Sequence, residues 1–242
     1  MRLIDLSHNI IPGQEKYRTR IDEYSVDEYI PEYTVEDDQW YVMQDVLLCT
    51  HIGTHAEAPY HALKTGVHSA EMDLKHLVGM ASILDFVGKG YQQPISLEEV
   101  RQRGAHIRKG DIVIVKTGLA KHYGTALYKR PYLMKDAVEW LVNEMEISAL
   151  GVDCSGIENR AKGNSSECHL VLFEKGIPIL EDLNNVEYIT NKRVFFYAMP
   201  LKIAGTDASW IRPVVVDDEE ISLIIEEKLK SAEWIGTNVN DR

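Results

Sequence analysis

Short apolar runs and amphipathic stretches alternate along this chain, and the change of period from one to the next sets out an α/β protein. Residues 3–6 read as a first strand, followed by a loop carrying His8 and by the turn pair Pro12-Gly13. Residues 40–50 are rich in β-formers and read as a strand that delivers His51 at its end. Residues 81–87 are a short apolar run. Ser96-Leu-Glu-Glu99 has the form of a capping box and opens a helix through Arg103, which Gly104 stops. Residues 111–115 then form a buried strand. Val138, Leu141, Val142 and Met145 give helical spacing to residues 136–145, and residues 148–152 are another strand running into Asp153. Residues 170–173 lead to Gly176-Ile-Pro-Ile-Leu-Glu181, a strand ending in a carboxylate, and residues 194–199 close the sheet before Pro200. Residues 219–234 have the pattern of an amphipathic helix, with Ile221, Ile224, Ile225 and Leu229 as its apolar stripe.

Residues 14–39 break the alternation. They hold many acids together with Tyr17, Tyr24, Tyr29 and Tyr33 and show no clear period. Two readings stay open for them, a surface excursion folded over a pocket and a solvated edge hairpin. No internal repeat, low-complexity tract or linker divides the chain, so residues 1–242 are expected to form one α/β domain. With 45% hydrophobic and 26% charged residues the composition is globular, and a formal charge of −12 disfavours nucleic acid and anionic lipid as partners. A small-molecule partner fits better. Asp5 and His8 stand where a signal peptide needs its apolar run, and no stretch is long and apolar enough to cross a membrane, which points to the cytoplasm. Cys49, Cys154 and Cys168 are odd in number and lack Cys-x-x-Cys spacing, so they read as reduced thiols.

The densest chemistry is the segment His51-Ile-Gly-Thr-His55-Ala-Glu57-Ala-Pro-Tyr-His61, with three imidazoles and a carboxylate in eleven residues that Gly53 and Pro59 keep from being a plain helix. Imidazole and carboxylate suit zinc, manganese or iron, and a catalytic site needs only about three protein ligands. A lone histidine is ordinarily solvated or capping. The cluster favours a metal. His169 and Glu181 lie twelve positions apart, each beside an apolar element that could aim it at one point, with a core or surface histidine and a capping acid as the bland alternatives.

The chain resembles the cyclase-like metal-dependent hydrolases, the family of bacterial kynurenine formamidase and isatin hydrolase. Their signature His-x-Gly-Thr-His-x-Asp-x-Pro-x-His is met at His51, Gly53, Thr54, His55, Pro59 and His61. Supporting matches run in family order through nearly the whole length: Asp5-Leu-Ser-His8, Gly110-Asp-Ile-Val-Ile-Val-Lys-Thr-Gly118, Leu150-Gly-Val-Asp153, and His169 followed by Gly176–Glu181. The departure is Glu57, where the family has aspartate; the extra methylene moves the carboxylate, so the loop or the metal must shift. The resemblance implies a swivelling β/β/α domain with a curled, barrel-like sheet and outer helices, assembled as a homodimer or homotetramer. It implies that His51, His55, Glu57, His169 and Glu181 hold one or two divalent ions, zinc or manganese, with His61 as proton shuttle. Residues 14–39 are a second departure: kynurenine formamidases tend to place an aromatic substrate contact there near a Pro-rich turn, and this chain has Gly13-Gln-Glu-Lys-Tyr17 instead, with Tyr17 as the candidate substitute.

Such a centre activates water and polarises a carbonyl, which implies hydrolysis of the carbon–nitrogen bond of a small amide, formamide or lactam. The resemblance assigns His61 to proton transfer to the leaving nitrogen, a role for which an imidazole is suited. No Gly-x-Ser-x-Gly elbow surrounds Ser155 or Ser209. Two other readings are a cyclase or dehydratase using the same metal as a Lewis acid, and a non-catalytic metal-dependent binding protein in which Glu57 is the lesion.

Overall fold

A computed structural model describes residues 1–126, 128–159, 161 and 166–234. Its strands are β1 (Arg2–Asp5), β2 (Thr19–Ser25), β3 (Val42–Leu48), β4 (His55–Glu57), β5 (Val78–Asp85), β6 (Pro94–Ile95), β7 (Ile112–Lys116), β8 (Tyr132–Leu133), β9 (Ala149–Val152), β10 (Ile179–Glu181), β11 (Arg193–Tyr197), β12 (Ala208–Trp210) and β13 (Val214–Asp217). The helices are α1 (Val26–Tyr29), α2 (Leu97–Arg103), α3 (Lys135–Asn143), α4 (Glu167–Phe173) and α5 (Glu219–Leu229). Nine strands make one strongly curled sheet in the order β1-β13-β11-β5-β7-β9-β10-β4-β12. The middle of it, β5-β7-β9-β10, is parallel, with α2, α3 and α4 as the crossovers between successive strands.

Those parallel strands read as continuous apolar runs because both faces are covered. On one face Leu84, Val113, Val115, Leu150, Val152 and Ile179 pack with Val138, Leu141 and Leu172 of the helices. On the other, inside the curl, Ala81, Ile83, Ile112, Ile114, Ala149 and Leu180 meet Leu6, Val186 and Phe196. Helix α2 starts as its sequence requires: Ser96 accepts from the Glu99 amide, Glu99 returns a bond to the Ser96 amide, and Gly104 follows the last turn.

Three expectations change. The segment at 40–50 does form a strand, β3, but it pairs with β2 in a separate two-stranded ribbon and stops at Leu48, short of His51. Residues 14–39 therefore contribute one arm of an edge hairpin, while Gln14–Tyr17 line a cavity, so each of the two readings holds for part of the segment. The strand at 193–197 does not close the sheet; it lies inside it, between β13 and β5. Helix α5 packs Ile221, Ile225 and Leu229 on Met80, Phe195 and Val216, whereas Ile224 faces solvent at 51% exposure. No described helix is long and apolar enough to cross a membrane.

Candidate metal centre

Alternation along β4 builds the site. His55 and Glu57 project from one face of the strand and Ala56 from the other, where it joins the core inside the curl. The neighbour β10 runs antiparallel with Glu181 opposite His55 and Ile179 opposite Glu57. Ile179 packs among the helices, so His55, Glu57 and Glu181 all face the helix side of the sheet, where α4 carries His169. Gly53 turns the chain just before β4 at φ +58, and a Cβ there would stand 2.7 Å from Cγ1 of Ile10.

Glu57 is the hub of what gathers. Its Oε1 is 3.0 Å from Nδ1 of His51, 3.7 Å from Nε2 of His55 and 3.8 Å from Nε2 of His61, and its Oε2 is 3.3 Å from Nε2 of His169. Glu181 stands further out, with Oε2 3.9 Å from Nε2 of His55. Among the described residues, three groupings have donor atoms within 4.8 Å of one another: His51–His55–Glu57, Glu57–His61–His169 and His51–His61–Asp207. Tyr17 lines, with His51, Tyr123, Tyr128 and Asp182, a neighbouring cavity of about 290 Å³.

Each histidine has one ring nitrogen pinned on its outer side. His55 donates from Nδ1 to the Gly53 carbonyl at 2.9 Å, His169 from Nδ1 to Glu158 at 2.9 Å, and His51 from Nε2 to Asp207 at 2.7 Å. The nitrogen left over on each ring faces Glu57. Outer partners of this kind fix tautomer and ring orientation for metal ligands. The donor set is borderline-hard, nitrogen and carboxylate oxygen, as divalent zinc or manganese requires. Nε2 of His55 and Oε2 of Glu57 are buried without a hydrogen-bond partner among the described residues. Buried polar atoms are seldom left so, and a cation would satisfy both. These residues fit a divalent metal.

The electrostatics agree. Burial opposes a charge on His51, but Glu57 and Asp207 outweigh it and lift its pKa to about 9. His169, buried yet flanked by Glu158 and Glu57, rises to about 10. Burial would raise Glu57, but the imidazoles of His169, His51 and His55 hold it well below the ordinary carboxylate range. Glu181 moves the other way, to about 8, through burial and the charge on Glu57. A carboxylate ringed by imidazoles is a place where a divalent metal can take the position of their protons.

Spacing gave no sign of Asp207 or Glu158. Glu158 accepts from the backbone amides of Cys168 and His169 at 2.8 and 2.9 Å as well as from the His169 ring, so one carboxylate caps α4 and aims its histidine. Capping acids are common ahead of helices, and what distinguishes this one is its further bond to the His169 ring. Cys168 is buried, its Sγ 3.6 Å from the Leu133 carbonyl, and burial pushes its thiol well up, which leaves it a packing residue.

Comparison with known proteins places this arrangement. A family model named Cyclase matches residues 4–159. Kynurenine formamidase of Delftia acidovorans is 25% identical over 173 residues, which cover 70% of this chain and 78% of that enzyme. A protein of Methanocaldococcus jannaschii is 26% identical over 231 residues, covering 89% of this chain and 100% of its own. Isatin hydrolase A from Labrenzia aggregata shares the fold at a TM-score of 0.72 with 20% identity, over 88% of this chain and 93% of that one. The chain belongs to the Cyclase family, the cyclase-like metal-dependent hydrolases.

Proposed function

We propose that the protein is a metal-dependent hydrolase of the carbon–nitrogen bond in a small amide, formamide or lactam. The observation that carries this reading is the convergence on Glu57 of three outward-pinned histidines, with Nε2 of His55 buried and unpartnered. The activities of kynurenine formamidase and isatin hydrolase support the bond type. His51, His55, Glu57, His169 and Glu181 would hold one or two divalent ions, zinc or manganese. A bound divalent ion supplies Lewis acidity toward the substrate carbonyl and makes water acidic enough to attack near neutral pH.

The chain's own residues do the rest. Nε2 of His61 faces the hub while Nδ1 donates to Asp207 at 3.2 Å, so the free nitrogen takes the proton from the attacking water. The new carbon–oxygen bond forms, the carbon–nitrogen bond breaks, and His61 returns its proton to the leaving nitrogen, giving a carboxylic acid and an amine. The cavity beside His51 carries Tyr17, Tyr123 and Tyr128 and suits a planar aromatic substrate in a homo-oligomeric enzyme whose partners are small molecules.

The test is elemental analysis of the purified protein together with a screen of N-formyl aromatic amines, isatin-like lactams and simple carbamates. Stoichiometric metal with hydrolysis of one class is the expected result. Metal without turnover of any of them would overturn the reading.

A further inference from the structure

Asp207 belongs to the turn Gly205-Thr-Asp207 that leads into β12, about 150 residues from the histidines it touches. It is anchored through both its backbone and its side chain. The Ala58 amide donates to its carbonyl at 2.9 Å, Thr50 Oγ1 donates to its Oδ1 at 2.9 Å, and the Ser69 amide holds the preceding Thr206 carbonyl at 2.9 Å. Its Oδ2 then receives two rings, Nε2 of His51 at 2.7 Å and Nδ1 of His61 at 3.2 Å. The two contacts use opposite nitrogens.

Accordingly, we propose that Asp207 is a positioning residue that holds His51 and His61 in opposite tautomers, leaving Nδ1 of His51 and Nε2 of His61 free and both turned to Glu57. The free nitrogens are 3.0 and 3.8 Å from Oε1 of Glu57. One carboxylate thus prepares a ligand and a base at once, which rests on the hydrolytic reading of the centre. A ring's two nitrogens point apart, so a cation beside Nδ1 of His51 and Glu57 lies beyond the reach of Asp207 on the far edge of that ring. Asp207 therefore acts through the histidines and not on the substrate.

The outer side of this pair is open. A cavity of about 610 Å³ is lined by Tyr60, His61, Lys64, Thr206 and Asp207, so a small carboxylate can enter where the Asp207 side chain is removed. The experiment uses zinc-loaded, ¹⁵N-labelled protein and Asp207→Ala, with Asp207→Ser in its place should the alanine protein not fold. Two-bond ¹H–¹⁵N correlations should show His61 protonated on Nδ1 in the parent and on Nε2 in the variant. With an N-formyl aromatic amine as substrate and zinc in excess, kcat should fall about 10–100-fold while KM stays near the parent value. Formate should restore part of kcat, and chloride at equal ionic strength should not. An unchanged His61 tautomer in the variant overturns the proposal, and so does a kcat equal to that of the parent. If the parent protein hydrolyses none of the amides the functional reading fails, while the tautomer measurement still decides the role of Asp207.

Discussion

His55 and Glu181 are register partners across two antiparallel strands, so imidazole and carboxyl share one face of the sheet with Nε2 and Oε2 3.9 Å apart. The pairing belongs to the backbone ladder. The position of Glu57 among the rings of His51, His55 and His169 rests on side chains.

Glu57 should therefore dominate metal affinity. Removing an orienting partner of a ligand typically weakens binding about 10–100-fold, and Glu57→Ala should exceed that because it empties the hub. Glu57→Asp keeps charge and donor type and retracts the oxygen, so it should still bind, with altered affinity or stoichiometry. Calorimetric titration of the metal-free proteins at one pH reads the difference. Equal affinity in all three would remove Glu57 from the site.

His61→Ala should separate chemistry from metal binding. A general base contributes about 10²–10⁴-fold, so kcat should drop by that factor with metal content near the parent value. Metal lost along with activity would make His61 a ligand.

Metal uptake should release protons. Without a cation His51 and His169 have pKa values lifted to about 9 and 10, so both rings carry protons at neutral pH, and both must lose them to ligate. Affinity should climb as pH rises toward about 10 and level off beyond it. The sign for folding is opposite. A raised imidazole pKa stabilises the metal-free fold fully below about 6.5, and that contribution fades as pH passes through about 9 to 10. Titrations in buffers of different ionisation enthalpy should show more than one proton released per ion near pH 7, and none released there would refute the assignment.

Gly53→Ala should cost stability in two separable ways. Left-handed backbone at φ +58 is strained for alanine by about 1–3 kcal/mol, and the new Cβ meets Ile10 at 2.7 Å. For a chain of this size Tm should fall roughly 2–4 °C per kcal/mol. Adding Ile10→Ala should relieve the contact and leave the backbone strain, so the double variant should melt between the parent and Gly53→Ala after allowance for Ile10→Ala alone. A Gly53→Ala protein that melts with the parent would show that the turn tolerates a side chain.

Much of this architecture was legible in sequence, because its central strands are apolar on both faces and α2 announces its own start through Ser96 and Glu99. The gathering of His51, His55 and Glu57 was legible for the same local reason, since all three lie within seven residues. Long-range pairing was not. Nothing in the three residues of β4 marks them as a strand, and nothing in residues 40–50 reveals that their hydrogen bonds go to β2 and not to the main sheet. Asp207 and Glu158 stayed hidden because a carboxylate that orients a ring is defined by a distance across the fold, which spacing along the chain does not encode.

The place of β4 between β10 and β12 also bears on how the protein is made. Its residues 55–57 leave the ribosome well over a hundred positions ahead of both neighbours, residues 179–181 and 208–210. At about 5–20 residues per second the segment waits roughly 8–30 s for its last partner. During that interval the nascent chain carries His55 and Glu57 on a segment without its strand partners, with His51 and His61 flanking it. Completion of the sheet around β4 thus waits for residues 208–210, and the full ligand set waits for Glu181.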